Sequence, residues 1–157
     1  MIQEYLRPKS MDEAISLNQR YGEKARYIAG GTDVIVKIKE RQIRPEYLIS
    51  LRGIPGLDQI TYEEGELRIG ALVTHRALEL SAVIRKHFPI LTDAVGNIGS
   101  VQIRNVATIG GNIVNAVPSA DGATPLIALG AKIRLAGPKG ERTMALEDFF
   151  VDRKSVV

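Results

Sequence analysis

No cysteine occurs in the 157 residues, which excludes disulfides and any iron-sulfur cluster held by this chain's own thiolates. Long apolar runs are missing as well. None approaches the roughly 18 residues of a membrane span, and Met1-Ile2-Gln3-Glu4-Tyr5 lacks the basic stretch and apolar core of a secretory leader. A cytoplasmic location is the expectation. Histidine is scarce: His75 and His87 have no second histidine or carboxylate at metal-ligand spacing, so each reads as a surface or helix-packing residue. No nucleophile stands beside a base and no carboxylate pair is framed as acid and base, so redox or group-transfer chemistry has to come from a cofactor. One-sided charge is absent too. The 21 basic and 18 acidic residues, net +3, are spread along the whole chain, which is no nucleic-acid footprint but mildly favours an anionic ligand.

What is present is enough apolar content, 45%, to bury an ordinary core. The pattern predicts an α+β fold in two subdomains, a small βαβ-like unit over residues 1–53 and a larger, mostly antiparallel unit with helices over residues 54–157. In the first, Ser10 with Glu13 has capping-box spacing and opens a helix that ends near Tyr21-Gly22. A strand at Ala25 to Ala29 follows, then Val34 to Lys39 as helix or strand, then a buried strand at Tyr47 to Leu51 after Pro45. The apolar Val34 to Ile38 run reads as core. Lys37, Lys39, Arg41 and Arg44, offset only by Glu40, read as a solvated face or a surface that steers an acidic partner. In the second unit, Gln59–Tyr62 and Leu67–Gly70 flank Glu64-Gly65 as a hairpin. Thr74 caps a helix to about Ser81, a further helix covers Leu91 to Ile98, and a linker carries Gln102, Arg104 and Asn105. Asp121 is placed to cap a helix over Thr124 to Leu129. Lys132–Leu135 and Glu141–Met144 form a second hairpin.

Two glycine doublets, 80 positions apart, stand out: Ala29-Gly30-Gly31-Thr32-Asp33 and Thr108-Ile109-Gly110-Gly111-Asn112. Such a pair lets the backbone turn through positive φ and leaves its N–H groups uncovered by any Cβ, so that an anionic oxygen can approach. Two loops of this kind could grip one diphosphate from both sides, with Thr32, Thr108 and Asn112 as small donors. The alternative is two tight turns between strands. The Rossmann fingerprint and the P-loop lysine are both absent.

In order and spacing, Ala29-Gly30-Gly31-Thr32-Asp33, the stretch Gln102-Ile103-Arg104-Asn105-Val106-Ala107-Thr108-Ile109-Gly110-Gly111-Asn112 and Ser119-Ala120-Asp121 resemble the FAD-binding medium subunit of molybdenum hydroxylases, the xanthine dehydrogenase and carbon monoxide dehydrogenase group. The likeness runs from about Met1 to Phe150. It implies FAD between two subdomains, with its diphosphate wrapped by a first loop of Ile28, Ala29, Gly30, Gly31, Thr32, Asp33 and Val34. The second loop would be Thr108, Ile109, Gly110, Gly111 and Asn112. Asp121 would match the family's acidic residue on the FAD side, better suited to hydroxyl donors than to phosphate. Arg104 and Asn105 would be structural. The implied partners are an iron-sulfur small subunit and a molybdopterin large subunit, with electrons passing from the clusters through FAD to NAD or another acceptor. The family continues after its Phe-Phe pair with a Gly-rich segment, further flavin contacts and a C-terminal domain, whereas here Phe149-Phe150 is followed by seven residues. The expectation is a site without its isoalloxazine cover, and the alternative function is a truncated, non-catalytic nucleotide-binding or assembly module.

Overall fold

The computed structural model describes residues 2–116 and 122–150. Its first part is a three-stranded parallel sheet in the order β1-β3-β2, built from β1 (Glu4–Leu6), β2 (Ala25–Ile28) and β3 (Tyr47–Ser50). The central strand is the most apolar, and Leu48, Ile49 and Ser50 are all buried, as a strand flanked on both edges and covered by helix should be. The cover is α1 (Met11–Tyr21). Ser10 Oγ accepts from Glu13 N at 3.1 Å, while the Glu13 carboxylate reaches back to Lys9 N at 2.7 Å, so a reciprocal cap does open this helix, one residue earlier on the return bond than in the usual box. Ala14, Ala25, Ile49 and Ile54 form the core of this part, with Tyr21 stacked on Tyr47 at 3.9 Å.

The segment Val34 to Lys39 is a helix, α2. None of its residues is buried, and Val36 is 46% exposed, so the expectation that this apolar run is core is wrong. Six residues complete less than two turns, too few to sink a whole apolar stripe when one side faces the neighbouring segment and the other faces out.

The second part holds two hairpins that share no ladder: β4 (Ile60–Glu63) with β5 (Glu66–Ile69), and β6 (Lys132–Gly137) with β7 (Gly140–Ala145). Between them lie α3 (His75–Leu80), α4 (Ala82–His87), α5 (Pro89–Gly96), α6 (Val101–Arg104), α7 (Ile109–Asn115) and α8 (Ala123–Ala128), with α9 (Leu146–Phe149) closing the described chain. Val73, Leu78, Ile84, Leu91, Val95 and Ile113 are among the residues of its core. A groove of about 560 Å³ separates the hairpins, walled by Leu67, Ile69, Leu91, Ile113, Leu126 and Ile133.

Three segments differ from expectation. Helix α4 was not foreseen, because Ser81 both ends α3 and caps α4, its Oγ accepting from Ile84 N. The supposed linker at Gln102 to Asn105 contains α6, capped by Ser100 Oγ on Ile103 N. Helix α8 starts after Gly122 with no side-chain cap bond, and the proposed cap Asp121 lies outside the described residues. No helix among the described residues is long and apolar enough to cross a membrane.

Candidate functional site

The first doublet sits where β2 hands over to α2. Strand β2 ends as Leu51 N donates to Ile28 O at 3.0 Å. Three carbonyls of the following turn, those of Ala29, Gly31 and Asp33, are then claimed by the protein. Ala29 O accepts from Arg52 Nε at 3.1 Å, Gly31 O from Ile35 N at 3.1 Å and Asp33 O from Lys37 N at 2.9 Å. The amides are left over: the N–H groups of Ala29, Gly30, Gly31, Thr32, Asp33 and Val34 meet no acceptor among the described residues. A run of unpartnered amides with alternate carbonyls tied back is a cradle for anionic oxygen. Gly31 makes the turn possible with φ +84°, a left-handed value that side chains resist.

Gly30 is required for a different reason. A Cβ there would stand 2.1 Å from Val106 O and 3.0 Å from Ala107 Cα, so this backbone lies directly against the segment that leads into the second doublet. The two doublets, far apart in sequence, are neighbours in space.

At the second doublet the expectation of a positive-φ loop with uncovered amides fails. Gly110 and Gly111 are in the first turn of α7, and neither has positive φ. Ile109 N donates to Val73 O and Gly110 N to Ala71 O, both at 3.0 Å, while Asn112 N donates to Thr108 O at 3.0 Å. Gly111 N donates to the Thr108 Oγ1 cap at 3.1 Å. All four amides are spent inside the protein. Gly110 is needed here for close approach, since a Cβ would lie 2.7 Å from Ala71 O and 2.8 Å from Ala71 Cβ. The Asn112 Oδ1 atom is buried with no partner among the described residues. Thr108 N, facing away from its bridge partner Thr74, has no backbone acceptor among the described residues. Asp121, with Ser119 and Ala120, falls outside the described residues.

Three neighbours were missed or misread in sequence. Arg52 props the first turn through Ala29 O. Asn115, at the end of α7, bonds both Asp33 and Lys37 at 2.7 Å, so Lys37 is engaged with the site rather than merely solvated. Nothing about a lone asparagine or lysine signals a contact across some 80 residues. The remaining candidates are structural. Arg104, 8% exposed, bonds Glu79 Oε2 and the carbonyls of Ile98 and Gly99. Two arginines hold the Glu79 carboxyl below its ordinary range, first through the hydrogen bond from Arg76 and also through Arg104, against a smaller opposing effect of burial. His75 is fully buried, with N donating to Ala107 O at 3.0 Å and Nδ1 unpartnered among the described residues. Burial, with the Arg104 charge second, lowers its pKa. His87 stacks on Tyr62 at 4.4 Å. No cluster of metal-ligating side chains occurs among the described residues.

The family described as the FAD binding domain in molybdopterin dehydrogenase matches residues 1–157. Among individual proteins, the chain is 37% identical over 148 residues to the nicotinate dehydrogenase FAD-subunit of Eubacterium barkeri, covering 94% of this chain and 50% of that one. It is 39% identical over 147 residues to the carbon monoxide dehydrogenase medium chain of Afipia carboxidovorans, with 94% and 51% covered. Among solved structures, the Cu,Mo-CO dehydrogenase in its cyanide-inactivated form superposes with a TM-score of 0.95 at 36% identity, over 99% of this chain and 55% of the other. Quinoline 2-oxidoreductase from Pseudomonas putida 86 superposes with a TM-score of 0.90 at 30% identity, over 95% and 52%. The chain therefore spans about half the length of the relatives it matches.

Proposed function

This chain belongs to the family of FAD-binding domains in molybdopterin dehydrogenases, and from that premise we propose that it holds the FAD diphosphate in the flavin subunit of a molybdenum-containing oxidoreductase. The observation that carries this assignment is the row of six amides from Ala29 to Val34 with no acceptor among the described residues. A buried or half-buried N–H without a partner is costly, and hydrogen bonds to a charged oxygen are worth roughly 1.5–3 kcal/mol each. Diphosphate oxygens satisfy those donors where no lysine of the P-loop type exists.

The second doublet plays another part. With its amides from Ile109 onward consumed, it supplies a Cβ-free surface at Gly111, against Thr108 Oγ1, and the N–H of Thr108, which has no backbone acceptor among the described residues. Asp121 is assigned to a hydroxyl donor of the nucleotide, where an acceptor-only side chain is favourable. Bound FAD supplies electron transfer between redox centres on partner subunits and an acceptor such as NAD. Those centres are assigned to an iron-sulfur small subunit and a molybdopterin large subunit, and these 157 residues, having no cysteine, offer no thiolate to a cluster.

The test is a titration of the purified chain with FAD, followed by flavin absorbance and fluorescence after gel filtration, alone and with partner subunits. Co-elution of flavin at one equivalent is expected. Absence of flavin from both the chain and the assembled complex would overturn the proposal.

A further inference from the structure

The side chain of Asn115 joins two segments that come from distant parts of the sequence. Its Nδ2 donates to Asp33 Oδ1 at 2.7 Å and its Oδ1 accepts from Lys37 Nζ at 2.7 Å. Only this orientation of the amide is chemically possible, because a carboxylate accepts and an ammonium donates. Asp33 and Lys37 are four positions apart at the start of α2, hence on one face of it. Asn115 is the last residue of α7. Helix α2 follows the first glycine doublet without a gap, and α7 contains the second. Among the described residues, these two bonds are the hydrogen bonds that connect residues 29–40 to residues 101–116. Gly30 also packs closely on Val106 and Ala107.

We propose that Asn115 is a positioning residue: the Asp33–Asn115–Lys37 clasp fixes the separation of the two glycine doublets and thereby sets how tightly FAD is held. This rests on the FAD assignment above. It also gives the Asp33 side chain a role other than flavin contact. Its two oxygens are engaged by Asn115 and, at 3.3 Å, by Thr32 Oγ1. A carboxylate next to a cradle for diphosphate would repel the ligand unless compensated. The asparagine relays Lys37 to it, one bond on each side, so both carboxylate oxygens are hydrogen-bonded and the charge is linked to a cation.

The experiment compares FAD affinity, by fluorescence quenching well below the melting temperature, for the full chain and three variants. Asn115→Asp sets two carboxylates against each other and is expected to weaken FAD binding about tenfold or more, the scale of one lost charge-assisted bond. Asn115→Ala, which loses both bonds without adding repulsion, should weaken it less. The exchange Asp33→Asn with Asn115→Asp restores a donor facing an acceptor and keeps one carboxylate beside Lys37. It is expected to return affinity to within about threefold of the original, a rescue that general loss of stability would not produce. Wild-type affinity in Asn115→Asp, or an exchange variant as weak as Asn115→Asp alone, would overturn the proposal. If the unaltered chain retains no FAD even with partner subunits, the FAD assignment fails instead. The clasp is then judged by a urea-unfolding cycle of Asp33→Ala and Asn115→Ala, where non-additive midpoints support it and additive ones refute it.

Discussion

At Ala29–Asp33 alternate carbonyls are tied back and the amides have no acceptor among the described residues, whereas at Thr108–Asn112 the amides from Ile109 onward are bound to Val73, Ala71 and Thr108. Both segments carry Gly-Gly between an apolar residue and a small polar one. The difference lies in what surrounds them. The first is a turn at the end of a parallel strand, where the next strand is finished and no carbonyl of the described residues, not even the nearby Val106 O, accepts from its amides. The second is laid across Ala71 to Thr74, whose carbonyls take its amides in an antiparallel exchange. The same dipeptide thus serves as a donor array in one place and as a thin spacer in the other. Glycine chemistry allows both, and neighbours choose.

Substitutions at three of the four glycines sharpen that contrast. The largest effect is expected at Gly30→Ala, because the added carbon meets main-chain atoms of Val106 and Ala107 that have no freedom to yield. Unfolding free energy should fall by about 3 kcal/mol, read from the urea midpoint, and FAD should no longer co-elute. Gly31→Ala meets only the ends of the Ile28 and Ile35 side chains, at 3.3 and 3.4 Å, so its cost is the left-handed backbone. That is about 1–2 kcal/mol, with FAD affinity reduced through the distorted cradle. Gly111→Ala is the opposite case. It lies in a helix, where alanine gains about 1 kcal/mol in propensity, and its one close neighbour is the Thr108 hydroxyl at 2.9 Å. Urea midpoints are expected to move by less than about 1 kcal/mol in either direction. A large loss there would show that the second doublet is as constrained as the first.

The smallest effect separates the floors of the two segments by pH. The imidazole of His75 is buried beneath the second segment, whose Ala107 O accepts from the His75 main-chain N–H, and its pKa is lowered by burial and then by Arg104. The unfolded chain takes up that proton near pH ~6.5, while the folded state resists it. Stability should therefore fall as pH drops below that value, with no contribution from His75 above it. His75→Gln should flatten the slope of unfolding free energy between about pH 7.5 and 5.5. An unchanged slope would assign the acid sensitivity elsewhere. A further decline at lower pH is expected where Glu79, whose pKa is lowered chiefly by its bond from Arg76, loses its charge.

Much of the fold was legible because local rules and tertiary demands agree. Ser10 with Glu13, Thr74, and the glycine turns at Glu64-Gly65 and Pro138-Lys139-Gly140 carry their own instructions, and the hairpins and first helix lie where those residues put them. Ser81 and Ser100 carried the same capping chemistry at α4 and α6 and went unread, since the helices they open are only six and four residues long. The helical start of the second doublet was hidden differently. Thr108 is a good cap, but Gly110-Gly111 is a poor helix sequence, and only the approach to Ala71 explains why glycine is kept there.

Composition and pattern alone determined that this chain carries no thiolate ligands and that its elements are short and mixed. They also determined where the small residues stand. Tertiary structure alone decided which amides remain unpaired. It also brought Asn115 between Asp33 and Lys37. The reason is physical: the N–H groups of Ile109 and Gly110 are spent on carbonyls that fold in from 35 or more residues away, and no local sequence rule records their arrival.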